Sequence, residues 1–340
     1  MSPRERTLAA LAGRGVDRLP TQVDFTPLAA RQAAQWLGVE VEALPYVLDN
    51  HLLFMAPRED FRVQGDTTFD AWGVGWDNTI NDGFQINVHP LADMKDLGEY
   101  RFPDPDDERL YEGLSALVAA DDGRRAVVGG IGFCLWERYY CLRGFEQAME
   151  DLVSEPSLVE DVLDRILDVQ CGVARNLIAL GADVGYTGDD FGSQTGLLFS
   201  PGTWKRFFQP RYRVLWGVFR EAGLPVAHHS CGDVRAILDD MISTGLDVLN
   251  PVQTQAMPCE ELAARWGDRL AFWGGICTQR VLPFGTPEEV RDYVELCRGT
   301  LGRHGRCVLG PSHAVTSDVP RANFLAMLDA LGLAIEMPEN

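Results

Sequence analysis

His229 and Cys231 stand one residue apart at the end of the apolar stretch Pro225-Val-Ala-His-His229, just before Gly232. In an extended strand residues i and i+2 face the same side, so both can point one way while His228 points the other. An imidazole nitrogen and a thiolate are good zinc ligands, and a third ligand from another strand leaves the metal an open position for chemistry. His313, in Pro311-Ser-His313 beyond the last apolar run, is the candidate third. The same His-x-Cys spacing also suits a buried thiol beside a core histidine, so spacing alone does not establish a metal. Asp24, Asp189 and Asp190 follow other apolar runs and are candidate catalytic groups, placed to orient a ligand histidine or a substrate, or to stabilise a protonated intermediate. Asp233 is either such a group or a helix N-cap. His51, His89 and His304 are isolated, and Cys134, Cys141, Cys171, Cys297 and Cys307 read as small buried apolar residues.

Such residues need a scaffold that gathers strand ends. From residue 154 onward helices close at glycine and a short apolar strand follows at once, as in Gly181-Ala-Asp-Val-Gly-Tyr186, Gly223-Leu-Pro-Val-Ala227 and Gly305-Arg-Cys-Val-Leu309. Ser200-Pro201 and Thr286-Pro-Glu-Glu289 mark helix starts, the latter as a capping box. Leu158, Val162, Ile166, Val169, Val173, Leu177 and Leu180 step at three and four along one buried helix face. Strands are expected at 20–25, 126–131, 183–188, 225–229, 247–251, 271–275 and 306–310, with an eighth within 50–88. Alternating strands and helices in that number predict a closed (β/α)₈ TIM barrel, whose catalytic groups lie at the C-terminal strand ends. One domain over 1–340 is expected, with 40–124 as an irregular insertion forming a lid over the mouth. Trp72 and Trp76, joined by Gly-Val-Gly, are the candidate cofactor-binding wall of that lid.

Composition narrows the chemistry. The 340 residues are 46% hydrophobic and carry a formal charge of −20, with lysine only at 95 and 205. Such a surface repels phosphate backbones and anionic membranes, which excludes nucleic acid and lipid headgroups as partners. No apolar run reaches the roughly 20 residues that span a bilayer, and no signal peptide precedes the eight cysteines, so a cytoplasmic location with reduced thiols is expected. Absence of Cys-x-x-Cys removes zinc-finger and thioredoxin readings.

His229-Ser-Cys-Gly-Asp-Val234, Gly245-Leu-Asp-Val-Leu-Asn-Pro-Val-Gln253, Phe272-Trp-Gly-Gly-Ile276, Gln279-Arg-Val-Leu-Pro-Phe-Gly-Thr-Pro-Glu-Glu-Val290 and Pro311-Ser-His-Ala-Val-Thr-Ser-Asp-Val-Pro320, with Asp189-Asp-Phe-Gly-Ser193 before them, resemble the uroporphyrinogen decarboxylase superfamily. The likeness spans roughly 125–335 and is looser before it. That superfamily holds metal-free decarboxylases and zinc methyltransferases that move a methyl group from a methylcorrinoid to a thiol. The resemblance to the methyltransferases is carried by His-x-Cys-Gly, their paired zinc ligands; their third ligand is a cysteine, where this chain has His313. The arginine-bearing segment by which the decarboxylases gather substrate carboxylates is replaced here by Pro20-Thr-Gln-Val-Asp-Phe-Thr-Pro27. The resemblance therefore implies zinc held by His229, Cys231 and His313, a cobalamin-type corrinoid donor supplied free or on a separate protein, a small thiol acceptor and a homodimer. A metal-free decarboxylase or lyase, or a ligand-binding barrel without catalysis, are the other readings.

Overall fold

The computed structural model describes residues 1–80, 84–93 and 97–333. Seven parallel strands form one curled sheet in chain order: β1 Leu52–Met55, β2 Ala126–Ile131, β3 Val184–Gly188, β4 Val226–His229, β5 Val248–Val252, β6 Ala271–Ile276 and β7 Cys307–Pro311. The intervening helices start where expected. Ser200 accepts a hydrogen bond from the Thr203 amide, and Thr286 and Glu289 close a capping box around Pro287. In the helix Pro156–Ala179 the apolar stripe is turned into the core.

The eighth barrel position differs from the expected strand. Residues 20–25 form no continuous ladder but isolated bridges, Thr21 to Leu309 and Phe25 to Val315. On the other edge the His51 amide donates to the Thr21 carbonyl, closing the ring against β1. Pro20 has no N–H to give, and side-chain amides replace the missing rungs. Gln22 Oε1 accepts from the Leu52 amide, while the Asn50 side chain accepts from the Val23 amide and donates to its carbonyl, each at 3.0 Å.

The stretch 40–124 is less irregular than expected. It holds β1, and then a four-stranded antiparallel sheet of Arg62–Gln64, Thr67–Phe69, Gly75–Asp77 and Ile86–Val88. Strands of three residues are too short to show an alternation in sequence, which is why they escaped the pattern. The small sheet grows from the C-terminal end of β1, the rim on which barrel sites are built. Its Trp76 packs at 4.9 Å on Phe133, just past β2.

The barrel interior is stacked in layers by strand parity. A lower layer joins Leu52, Ala126, Val184, Ala227, Val248, Ala271 and Val308, with Leu8 and Leu11 of the first helix against it. Two residues further along five of those strands come Phe54, Tyr186, His229, Asn250 and Trp273, which line a cavity of about 250 Å³. The lower layer is apolar and closed; the upper one is aromatic and polar and faces the mouth. All eight cysteines are free thiols. No helix among the described residues is long and apolar enough to cross a membrane.

Candidate metal centre

His229 ends β4 in register with Gly188 and Asn250, and the chain then turns at Gly232, whose φ of +79° suits a residue without Cβ. A Cβ there would stand 2.3 Å from the Gly192 carbonyl carbon, so the loops after β3 and β4 meet backbone to backbone. Gln253 Oε1 accepts from the Gly232 amide at 2.7 Å, and Asp190 Oδ1 accepts from the Cys231 amide at 2.8 Å. The thiol is thus placed by three loops at once.

His229 Nε2 lies 3.5 Å from Cys231 Sγ, and with His313 the donor atoms all fall within 4.8 Å of one another. Zn–S and Zn–N bonds of about 2.3 and 2.0 Å in a tetrahedral arrangement put sulfur and nitrogen about 3.5 Å apart, so this pair fits zinc. Asn250 sets the tautomer: its Nδ2 donates to the Trp273 carbonyl, which turns Oδ1 toward Tyr186 Oη at 3.1 Å and His229 Nδ1 at 2.9 Å. Tyr186 and protonated Nδ1 donate to that oxygen, leaving the Nε2 lone pair for a metal. His313 keeps an exposed surface at the mouth, yet the protein packed around its ring desolvates it and, with the nearby His229, lowers its pKa, favouring the neutral imidazole a metal needs. Burial, followed by Asp190 and Glu137, pushes the Cys231 thiol up, so without a cation beside it the sulfur stays protonated. A divalent cation among these groups reverses that balance.

Of the sequence-selected residues, the fold brings together His229, Cys231, His313, Asp190 and Asp24. Asp190 Oδ1 is 3.7 Å from His229 Nε2. Asp24 opens onto the cavity, which explains how its surface is accessible while the surrounding protein desolvates the carboxyl and raises its pKa. Asp189 is not brought there. It is fully buried, and its two oxygens accept from the amides of Cys134, Leu135, Trp136 and Glu137 and from the Tyr212 hydroxyl. It anchors the start of the helix Trp136–Arg143. Asp233 pairs with Arg235 and accepts its amide, outside the cavity. Trp72 and Trp76 do not line this cavity either. Trp72 is buried beneath the Arg138 guanidinium, 5.0 Å from its ring, and Trp76 packs with Phe84 and Phe133. His228 faces the helices, stacked on Phe191 with Nδ1 at 2.8 Å from Thr187 Oγ1.

Reading only strand ends missed Phe54, Tyr186 and Trp273, which lie one layer inside them; each stands two residues after an inward Leu52, Val184 or Ala271 on its own strand. Glu137 had no sequence signal. It sits in the first turn of a helix, takes a hydrogen bond from Tyr140 at 2.9 Å, and its carboxyl is pushed well above the usual range by burial and by Asp189 and Asp190.

The uroporphyrinogen decarboxylase (URO-D) family profile matches residues 56–332. A uroporphyrinogen decarboxylase of Methylococcus capsulatus is 24% identical over 82% of this chain and 81% of its own. The methylcobamide:CoM methyltransferase MtaA of Methanosarcina barkeri is 27% identical over 52% of this chain and 50% of its own, so that likeness spans about half of each protein. A solved methyltransferase from Methanosarcina mazei superposes with a TM-score of 0.77 at 18% identity, covering 98% of both chains, and shares the fold.

Proposed function

This chain belongs to the uroporphyrinogen decarboxylase family, and from that premise we propose that it is a zinc-dependent methyltransferase passing a methyl group from a methylcorrinoid to a small thiol. The observation that carries the reading is the meeting of His229, Cys231 and His313 donor atoms within 4.8 Å at the C-terminal end of the barrel. These three residues would hold the metal. Bound zinc supplies a Lewis acid that keeps an acceptor thiol deprotonated at neutral pH, as it does protein thiols.

The protein's own groups do the rest. Asn250 holds the His229 ring with Nε2 presented. Asp190 fixes the Cys231 loop and places a carboxylate beside the ligands. The cavity of about 250 Å³ receives the small substrate; among the described residues no arginine or lysine lines it, so a polycarboxylate meets no guanidinium or ammonium there. The antiparallel sheet at the rim is the part of the chain suited to cover the mouth and exclude water, and the corrinoid comes from outside, free or on a separate protein.

The test is demethylation of methylcobalamin by the purified protein, followed by its absorbance, with and without a thiol and after metal removal by a chelator. Turnover that requires thiol and returns on adding one equivalent of zinc is expected. Metal-free turnover of a porphyrinogen, with no thiol-dependent loss of the methyl group, would replace this reading by the decarboxylase one.

A further inference from the structure

The upper layer of the barrel contains an aromatic floor whose ring faces the metal ligands leave unused, although the Tyr186 hydroxyl bonds Asn250. Phe54, Tyr186 and Trp273 come from three separated strands, yet their ring centroids are 5.5 to 5.7 Å apart, packed tilted or edge to face. Phe54 keeps 37% of its surface exposed although it points into the barrel, so the exposed ring faces the cavity rather than bulk solvent. Asp24 lines the same cavity. Its Oδ1 accepts from the Gln22 amide at 2.8 Å, and its Oδ2 has no hydrogen-bond partner among the described residues. Among the described residues, arginine and lysine are absent from the lining.

Aromatic faces carry negative charge density, and a desolvated carboxylate without a counterion favours a positive guest. Together they form a chemistry for organic cations and against sulfonates or carboxylates. Burial raises the Asp24 carboxyl, which a cation alongside would return to its ionised form.

We propose that Phe54, Tyr186, Trp273 and Asp24 form a binding site for a substituted ammonium group, carried by the small substrate whose reactive end meets His229, Cys231 and His313. The proposal rests on the reading of this cavity as the substrate side of methyl transfer, and specifies that substrate as cationic.

Calorimetric titration of the full-length protein with choline and with its uncharged tert-butyl isostere tests the charge preference directly. Choline is expected to bind about tenfold more tightly or better, the scale of a desolvated cation–aromatic contact. Asp24→Asn and Phe54→Leu should each bring the ratio toward one, with unchanged circular dichroism. Equal affinity for the two ligands in the unmodified protein, or no saturable heat with choline, overturns the proposal whatever the variants do. Methylcobalamin demethylation with thiocholine and with mercaptoethanesulfonate separates it from the parent reading. Faster turnover with thiocholine supports both. Turnover with the sulfonate as fast or faster overturns the cationic substrate and leaves methyl transfer standing. Choline binding with no thiol-dependent demethylation supports the cation site and removes the transfer.

Discussion

Replacing Cys231 by serine is expected to take bound zinc from about one ion per chain to a small fraction of that, while the fold stays intact. The sulfur is held by a loop whose backbone bonds to Asp190 and Gln253 do not involve the side chain, so serine should occupy the same place. A hydroxyl is a far poorer zinc ligand than a thiolate. Loss of a group that merely supports a ligand weakens metal sites by about 10–100-fold, and loss of the ligand itself should exceed that. Metal analysis after dialysis, with thiol-dependent demethylation alongside, reads both effects. His313 provides the companion measurement: His313→Cys should retain zinc, because thiolate and imidazole are both good ligands, whereas His313→Ala should lose most of it. Full zinc retention in Cys231→Ser would remove the site as drawn. Identical behaviour of the two His313 variants would remove His313 from it.

Two adjacent aspartates should respond in opposite ways. Asp189→Asn leaves an amide NH₂ facing donors that need an acceptor, since four backbone N–H groups and the Tyr212 hydroxyl all point at the native carboxylate. Burial lifts that carboxyl only to about 6, so it is ionised at neutral pH and the cap is charged. Breaking a buried charged network of this kind costs about 3–5 kcal/mol, a fall in melting temperature of roughly 5–10 °C for a chain of this size. Asp190→Asn keeps an oxygen for the Cys231 amide and should change stability by less than about 1 kcal/mol, yet weaken zinc. Thermal melts of the two variants decide this. Equal melting temperatures would mean that Asp189 is not the anchor its hydrogen bonds describe.

That contrast shows what a sequence reveals and what it hides. The rhythm of glycine-terminated helices and short apolar strands placed β3 to β7 within a residue or two, and β2 was found as an apolar run of its own, because each strand is apolar and sharply bounded. The convergence of His229, Cys231 and His313 donor atoms was legible because few residue types offer such donors and because strand parity fixes which neighbours share a side. Asp189 and Asp190 were not separable, since both end the same strand and only the turn of the backbone sends one into the wall and the other toward the ligands. Trp72 and Trp76, expected to wall a site for a flat ligand, lie outside the cavity of the metal ligands, and aromatic type alone does not tell which cavity or packing contact a ring serves. The closing segment at 20–25 is expected from the sequence to be a strand like the others. Beside its isolated backbone bridges, the side chains of Gln22 and Asn50 supply rungs, a substitution that leaves no periodic trace.

That stitched seam has a consequence for how the barrel breathes. The strands β2 to β4 are held by regular ladders on both sides, but between β7 and β1 the ring depends on two bridges, the His51 amide bonded to the Thr21 carbonyl and a few amide side chains. Local opening should therefore be least costly there, and the amides of Gln22, Val23 and Leu52 should exchange with deuterium sooner than those at the centres of β3 to β6. Asp24 rides on this segment, so a guest bonded to its carboxylate and to residues across the cavity spans the gap. Whatever occupies the cavity would act as the missing rung, slowing exchange along 20–26 as it fills the site.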